Sequence, residues 1–286
     1  MLGDWYTTFM KIIVFGYLGK PEVQAELEHL RPLLRTRNVV QEIDLGQHAQ
    51  HKIPEAEMAL VLGGDGTILR AAQHMGYHQL PTLGINLGKL GFLADVQQKD
   101  ADAVLGVLFK KGFKVTDHLM LECKIQGCCE PQTWLGLNEM VVHADPPLHL
   151  IHIDLTVDDE PIATFSGDGL IVSTPIGSTG HNLSAGGPIL RQEIDAFVIT
   201  PICAHALTHR PLVDSADRKF GISLHPGSNT AVVSVDGQIQ LPITAENLLT
   251  VTAAPVKFRR VKVPNQSYFS TLREKLHWAV QPHEKL

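Results

Sequence analysis

The chain has 286 residues, 44% hydrophobic and 19% charged, with 24 Gly and 17 Pro scattered along it, a profile that excludes a lone mini-domain, a disordered polymer and a collagen-like repeat. At roughly 150 residues per domain, this length predicts two domains. Its 24 Lys plus Arg against 30 Asp plus Glu leave a formal charge of −6 without a basic tail, which makes nucleic acid a poor partner.

The N-terminal MLGDWYTTFM is too polar for a signal peptide, and Met10, just before the first strand-like run, marks residues 1–9 as a candidate start-site extension. Lys11 to Tyr17 reads as a short buried strand. Behind Pro21, Val23, Leu27, Leu30 and Leu34 recur at helical spacing. Met58 to Leu62 is a second apolar strand, GGDGT turns the chain, and Ile68, Leu69, Ala72 and Met75 resume helical spacing; Leu80 to Ile85 reads as a further strand. Continuously apolar strands alternating with helices predict a parallel sheet covered on both faces, an α/β Rossmann-like domain over residues 10–115.

From about residue 116 the pattern becomes β-rich and sandwich-like. Leu150 to Val157 alternates with period two, IATF follows as a returning strand, and Asp236-Gly237 between Ala231–Val235 and Gln238–Leu241 is a hairpin signal. Leu248 to Val251 and Val256 to Val263 read as two more strands. Residues 116–255 form this second domain, and 256–286, with Phe269, Leu272, Leu276 and Ala279 at helical spacing, pack back on the first. Cys123, Cys128, Cys129 and Cys203 lack C-x-x-C or zinc spacing and read as reduced thiols. No stretch approaches the ~20 apolar residues that cross a bilayer. The expectation is a cytoplasmic protein without membrane contact.

Three stretches carry chemistry. Gly63-Gly64-Asp65-Gly66-Thr67, between a buried strand and a helix, is suited to phosphate, with glycines for close backbone approach and the helix dipole behind them. Asp65 there serves as a general base toward a hydroxyl or as a metal ligand; the plainer reading is a cap for its own helix. Gly167 to Leu190 (GDGLIVSTPIGSTGHNLSAGGPIL) runs from a strand into a loop rich in donors and poor in bulk. Asn138-Glu139, an amide beside a carboxylate in an apolar run, needs partners if buried, yet strand alternation points one of the two away from any shared ligand. His205 and His209 share a helical face if that segment is helical, without a third metal ligand. Lys257, Arg259, Arg260 and Lys262, the one basic cluster, read as a solvated strand and subunit contact rather than a nucleic-acid patch.

GGDGT, LNE, GDGLIVSTP-x-GST and SAGGPIL, in this order and spacing, resemble the NAD kinase family from Lys11 to the C-terminal helix. The resemblance implies transfer of the terminal phosphoryl group of ATP, or of polyphosphate, to the 2′-hydroxyl of the adenosine ribose of NAD, with Mg²⁺ carried by the nucleotide and not held by protein ligands. It implies Asp65 as proton acceptor with Gly66 beside the nucleotide, and Asn138, Glu139, Asp168, Thr179, Gly180, His181, Asn182, Leu183, Ser184 and Gln238 as NAD contacts. His149 and Ser166 fall at positions where a further contact occurs in the family, and Arg70, one turn past Gly66, is a candidate for donor phosphate. A homodimer or homotetramer is also implied. The family usually reads Thr-Pro-Thr-Gly-Ser-Thr-Ala-Tyr where this chain has Thr174-Pro175-Ile176-Gly177-Ser178-Thr179-Gly180-His181, so an imidazole stands for a phenol at 181. The alternatives are a lipid or sugar kinase sharing only the GGDG turn, and a non-catalytic NAD- or ATP-binding module.

Overall fold

A computed structural model describes residues 10–35, 39–47, 53–88, 91–127, 131–145, 150–206, 208–228, 230–263 and 268–276. Contacts divide it into two units, the first built from the chain up to 75, from 80–116 and from 259 onward, the second from 76–79 and 117–258. Residues 1–9 and His149 lie outside the described residues.

Unit 1 starts with β1 (Ile12–Gly16), buried along its whole length. Helix α1 (Pro21–Arg35) opens on a proline, whose missing N–H is one that a first helical turn leaves unused anyway. It buries Val23, Leu27, Leu30 and Leu34. The unit continues through β2 (Val39–Asp44), β3 (Met58–Leu62), α2 (Asp65–Met75), β4 (Thr82–Asn86), β5 (Val96–Gln97) and α3 (Ala101–Lys111). All pairings among these strands are parallel, in the order β2-β1-β3-β4-β5. Strands β3 and β4 are buried on both faces, as their unbroken apolar runs require. With β1 flanked by β2 on one side and β3 on the other, the direction of winding reverses between β1 and β3. Ligands of open α/β sheets bind at the strand carboxyl ends at such a reversal. The GGDGT turn leaves the carboxyl end of β3 there.

Unit 2 contains β6 (Val115–Gln126, entered from unit 1), β7 (Gln132–Gly136), β8 (Glu139–Ala144), β9 (Ile151–Val157), β10 (Glu160–Gly167) and β11 (Gly169–Ser173). The one-turn helix α4 (His181–Ser184) follows, then β12 (Ala196–Ile202), β13 (Leu212–Ser215), β14 (Phe220–Leu224), β15 (Ala231–Val235), β16 (Ile239–Ile243) and β17 (Leu248–Val261). One antiparallel sheet has the order β13-β12-β11-β8-β15-β16; a second runs β10-β9-β14-β17 and continues through β6 to β7. A single apolar core lies between these sheets, with Met140, Phe197 and Val233 from one and Leu121, Ile153 and Phe220 from the other. Phe197 and Phe220 meet edge to face at 5.8 Å between ring centroids, a favoured aromatic geometry. Along β9, Ile151, Ile153 and Leu155 are buried and alternate with less buried neighbours, the expected period of two.

Leu248–Val251 and Val256–Val263 are not two strands. Residues 248–261 form one continuous strand, whose last residues belong to unit 1, where Arg260 pairs in parallel with Thr82. After it comes α5 (Tyr268–Leu276), also in unit 1, with Leu272 buried and Phe269 43% exposed. The basic stretch on this strand is not wholly solvated. Lys257 pairs with Asp195 at 2.9 Å, and Arg260, 14% exposed, forms a two-pronged pair with Asp95. Among the described residues no helix is long and apolar enough to cross a membrane.

Candidate functional site

Asp65, Gly66 and Arg70 belong to unit 1; every other sequence-predicted residue that is described belongs to unit 2. In the glycine turn only Gly63 has a positive φ, +152°, and a Cβ there would lie 2.3 Å from Thr67 Oγ1. Gly64 and Gly66 instead border open space, which lets a ligand reach the backbone. The Gly63 N–H donates to Ile85 O and the Thr67 N–H to Gly64 O, so these two amides are not available to a phosphate. The amides of Asp65 and Gly66 open helix α2, where no carbonyl one turn back serves them.

Asp65 does not cap its own helix. Its carboxylate accepts from the N–H of Phe92 on Oδ2 (2.6 Å) and from those of Leu93 (2.9 Å) and Ala94 (3.1 Å) on Oδ1. A carboxylate offers about four acceptor directions. Three are filled, and the one left is on Oδ2. Glycine is required at 91 by this grip, since a Cβ there would stand 1.7 Å from Asp65 Oδ1. The Gly91→Ala variant is therefore expected to lose turnover together with thermal stability, read by NADP formation and a melting curve. Arg70 lies over the Tyr17 ring at 5.9 Å, with Lys20 5.2 Å from the same ring centroid, so two cations stand beside the carboxyl end of β1.

In unit 2, Asn138 precedes β8 and is not part of it. That bend overturns the alternation argument. A Cβ built on Gly180 would be 3.4 Å from Glu139 Oε2 and 3.6 Å from Asn138 Nδ2, so both side chains converge on one glycine. Behind them Asp236, at φ +51° in the β15–β16 hairpin, accepts from the N–H groups of Leu137 (2.7 Å), Asn138 (2.8 Å) and Glu139 (3.1 Å). Thr174 holds the same bend from the other side, donating from Oγ1 to Leu137 O at 2.6 Å and from its N–H to Asn138 O at 2.8 Å. Glu139 is buried, and among the described residues its Oε2 has no hydrogen-bond partner. Burial, with the Asp236 charge adding, pushes its carboxyl up to about 8. Burial also raises Asp236, to about 6, against the pull of the three amides it accepts.

The raised Glu139 carboxyl fixes a pH dependence. The folded state holds a proton that the unfolded chain releases at ordinary carboxylate pH. Stability from this group is complete below the unfolded pKa and falls as pH rises toward 8. The slope approaches about 1.4 kcal/mol per pH unit, the value for one proton. Denaturant melts between pH 5 and 8 should show this fall in the native chain, and Glu139→Gln should flatten it.

Asn182 is not free to contact a ligand through its side chain. Fully buried, it donates from Nδ2 to Ser178 O and Pro188 O, both at 3.0 Å, and accepts from Thr200 Oγ1 at 2.6 Å. It pins the loop, and a Cβ on Gly187 would lie 1.9 Å from its Oδ1. Thr179 and Gly180 are partly buried, while His181 and Ser184 are exposed, with Leu183 between. Asp168 is exposed between two glycines that backbone crowding demands: a Cβ on Gly167 would be 2.6 Å from Ile202 O, and one on Gly169 2.3 Å from Val142 O. A hydrogen bond to Asp168, with that carboxylate's charge adding, raises the exposed Cys203 thiol. Ser166 pairs with His152 Nδ1 at 2.7 Å, and Gln238, partly buried, follows the hairpin turn.

Neither His205 nor His209 lies in a helix, so the two do not share a helical face. His209 instead meets the Phe165 ring edge to face at 4.9 Å. Among the described residues no group of three or more His, Cys, Asp or Glu is placed to hold a metal ion. Asp236 is the residue at this bend that the sequence did not single out. Its pairing with Gly237 announced a hairpin and concealed a clamp on residues 137–139.

A glycine turn at the switch point of a parallel sheet, in a chain whose second unit buries a carboxylate with one oxygen unpartnered among the described residues, fits a nucleotide-binding protein of the α/β class. Family models agree: residues 16–113 match the ATP-NAD kinase N-terminal domain and 137–263 the ATP-NAD kinase C-terminal domain. The chain is 40% identical over 271 residues to the NAD kinase of Rhodopirellula baltica, covering 94% of this chain and 87% of that one. It is 35% identical over 279 residues to the NAD kinase of Geotalea daltonii, covering 94% and 98%. The fold matches yeast NADH kinase complexed with NADH at a TM-score of 0.85, with 20% identity over 99% of this chain and 91% of that one. It matches an NAD kinase from Archaeoglobus fulgidus in complex with ATP at 0.77, with 27% identity over 94% and 99%. The chain belongs to the NAD kinase family.

Proposed function

We propose that this protein transfers the terminal phosphoryl group of ATP to the 2′-hydroxyl of the adenosine ribose of NAD, giving NADP and ADP. The observation that carries this is 40% identity to an NAD kinase along 94% of the chain. The 2′-oxygen attacks the terminal phosphorus, the bond to the bridging oxygen of ADP breaks, and the hydroxyl proton passes to Asp65. The acceptor direction left on Asp65 Oδ2 supports that role. Such transfer has a loose transition state, so positioning and charge neutralisation carry most of the rate. The amides at the start of α2 would hold the donor phosphates, and Mg²⁺ carried by the nucleotide would supply charge neutralisation there. Asn138 and Glu139 hold NAD through hydroxyl or amine groups, with Glu139 neutral at pH 7 and able to donate. Asp168, the 179–184 turn and Gln238 complete the NAD contacts.

Gly180→Ala puts a methyl group against Glu139 and Asn138. It is expected to raise the KM for NAD about tenfold, the effect of about 1.4 kcal/mol of lost binding, with ATP kinetics unchanged. A lipid or sugar kinase is not favoured, because the family match runs through both units and not only the GGDG turn. The test is incubation with NAD, Mg²⁺ and either ATP or polyphosphate, followed by an NADP-specific dehydrogenase assay. NADP formed with ATP supports the reading, NADP with polyphosphate alone changes the donor, and none with either overturns it. Cytoplasmic placement and homo-oligomeric assembly are part of the same reading, the latter checked by light scattering.

A further inference from the structure

The C-terminal helix α5 brings Lys275 back to the loop that Asp65 grips. The Lys275 ammonium lies 4.3 Å from the centroid of the Phe92 ring. Phe92 in turn donates its N–H to Asp65 Oδ2, the oxygen that keeps an open acceptor direction. Arg260 donates to Phe92 O at 3.0 Å and to Asp95 Oδ2 at 2.7 Å. Two carboxylates, Asp65 and Asp95, thus share a small region with two cations. Arg260 is committed to Asp95 through two nitrogens, a geometry that fixes the guanidinium in place. Lys275 instead reaches the loop through the ring of Phe92, the residue whose N–H is held by Asp65. Burial lowers the Lys275 ammonium from its ordinary value; the carboxylates of Asp65, then Glu274 and Asp95, oppose that lowering, and Arg260 adds to it.

A carboxylate standing beside incoming phosphates repels them unless its charge is offset. We propose that Lys275 is a positioning residue that offsets the Asp65 carboxylate, so that the polyphosphate arm of the donor can approach it, while stacking on Phe92 to keep the 91–94 loop closed. This rests on Asp65 as the proton acceptor of the reaction. Loss of the cation should weaken use of the donor and spare NAD.

The experiment measures steady-state kinetics of Lys275→Met, Lys275→Arg, Asp65→Asn and the Asp65→Asn/Lys275→Met double variant, with ATP and NAD varied separately and melting curves for each. Lys275→Met is expected to lower kcat/KM for ATP by ~10- to 100-fold with the KM for NAD within ~2-fold of native, and Lys275→Arg to restore most of the loss. In the Asp65→Asn background, Lys275→Met should add less than ~3-fold, because residues that act through one another are not additive. Equal losses for ATP and NAD, full additivity, or native kinetics of Lys275→Met overturn the proposal while leaving the Asp65 reading intact. Native turnover of Asp65→Asn instead removes that reading and the Lys275 assignment with it. If Lys275→Met melts below the assay temperature, Lys275→Arg decides: retained donor kinetics support the cation, and their loss overturns it.

Discussion

Asp65→Asn is expected to lower turnover by ~10² to 10⁴, the range that a positioned general base contributes. The structure adds a second consequence. Asparagine has one side-chain oxygen for the three N–H donors of Phe92, Leu93 and Ala94, and its amide nitrogen faces at least one of them. An amide left facing a donor costs about 1–3 kcal/mol. A lower melting temperature should therefore accompany the lost turnover. Glu at the same position keeps both oxygens, but its extra methylene pushes them into the space that Gly91 leaves. Asp65→Glu should lose activity as well, which separates the need for this geometry from the need for a charge. Turnover near native in Asp65→Asn, measured by NADP formation, would remove the proton-acceptor role.

Asp236→Ala is expected to be the most destabilising single change in unit 2. It strands the N–H groups of Leu137, Asn138 and Glu139 beside a buried cavity. At about 1–3 kcal/mol for each unsatisfied buried amide, the loss is at least ~3 kcal/mol. It also frees the bend that turns Asn138 and Glu139 toward Gly180, so NAD binding should fall further than stability alone requires. Asp236→Asn, which keeps one acceptor oxygen, should lie between. Denaturant melts and NAD titration at a temperature where all three proteins are folded check this ordering. A variant that binds NAD as the native chain does would show that the clamp is structural only.

Local chemistry was readable where a few adjacent residues determine the backbone. Gly63 to Thr67 and Asp236-Gly237 announced their turns, and the apolar run Met58 to Leu62 announced a strand that the structure bounds at the same two residues. Strand β6 was not recognised, because Asp117, His118, Glu122 and Lys124 interrupt its apolar pattern. Glu122 is tolerated there because Lys124 pairs with it at 2.7 Å and Tyr77 donates to it at 2.6 Å, the latter a contact that no local window contains. Strand β17 was split by Pro255, which sits at an exposed position within it. In the site, residue types were legible and directions were not. Whether Asn138 and Glu139 face one ligand depends on a bend held by Asp236, almost a hundred positions away along the chain.

Unit 1 takes Arg260, at the end of β17, as the partner of Thr82 on β4, and takes α5 after that, whereas unit 2 is nearly all contiguous from 117 to 258. Because domains fold as units during synthesis from the N-terminus, this interleaving sets an order of maturation on the ribosome. The early segments of unit 1 wait for residues 259 onward. The contiguous sandwich can complete its core while the nascent parallel sheet still lacks its Arg260 edge and the helix that carries Lys275. The GGDGT turn is made early, but its surroundings are finished only when Arg260 and the helix 268–276 have been made, so competence for phosphoryl transfer follows the synthesis of that later segment.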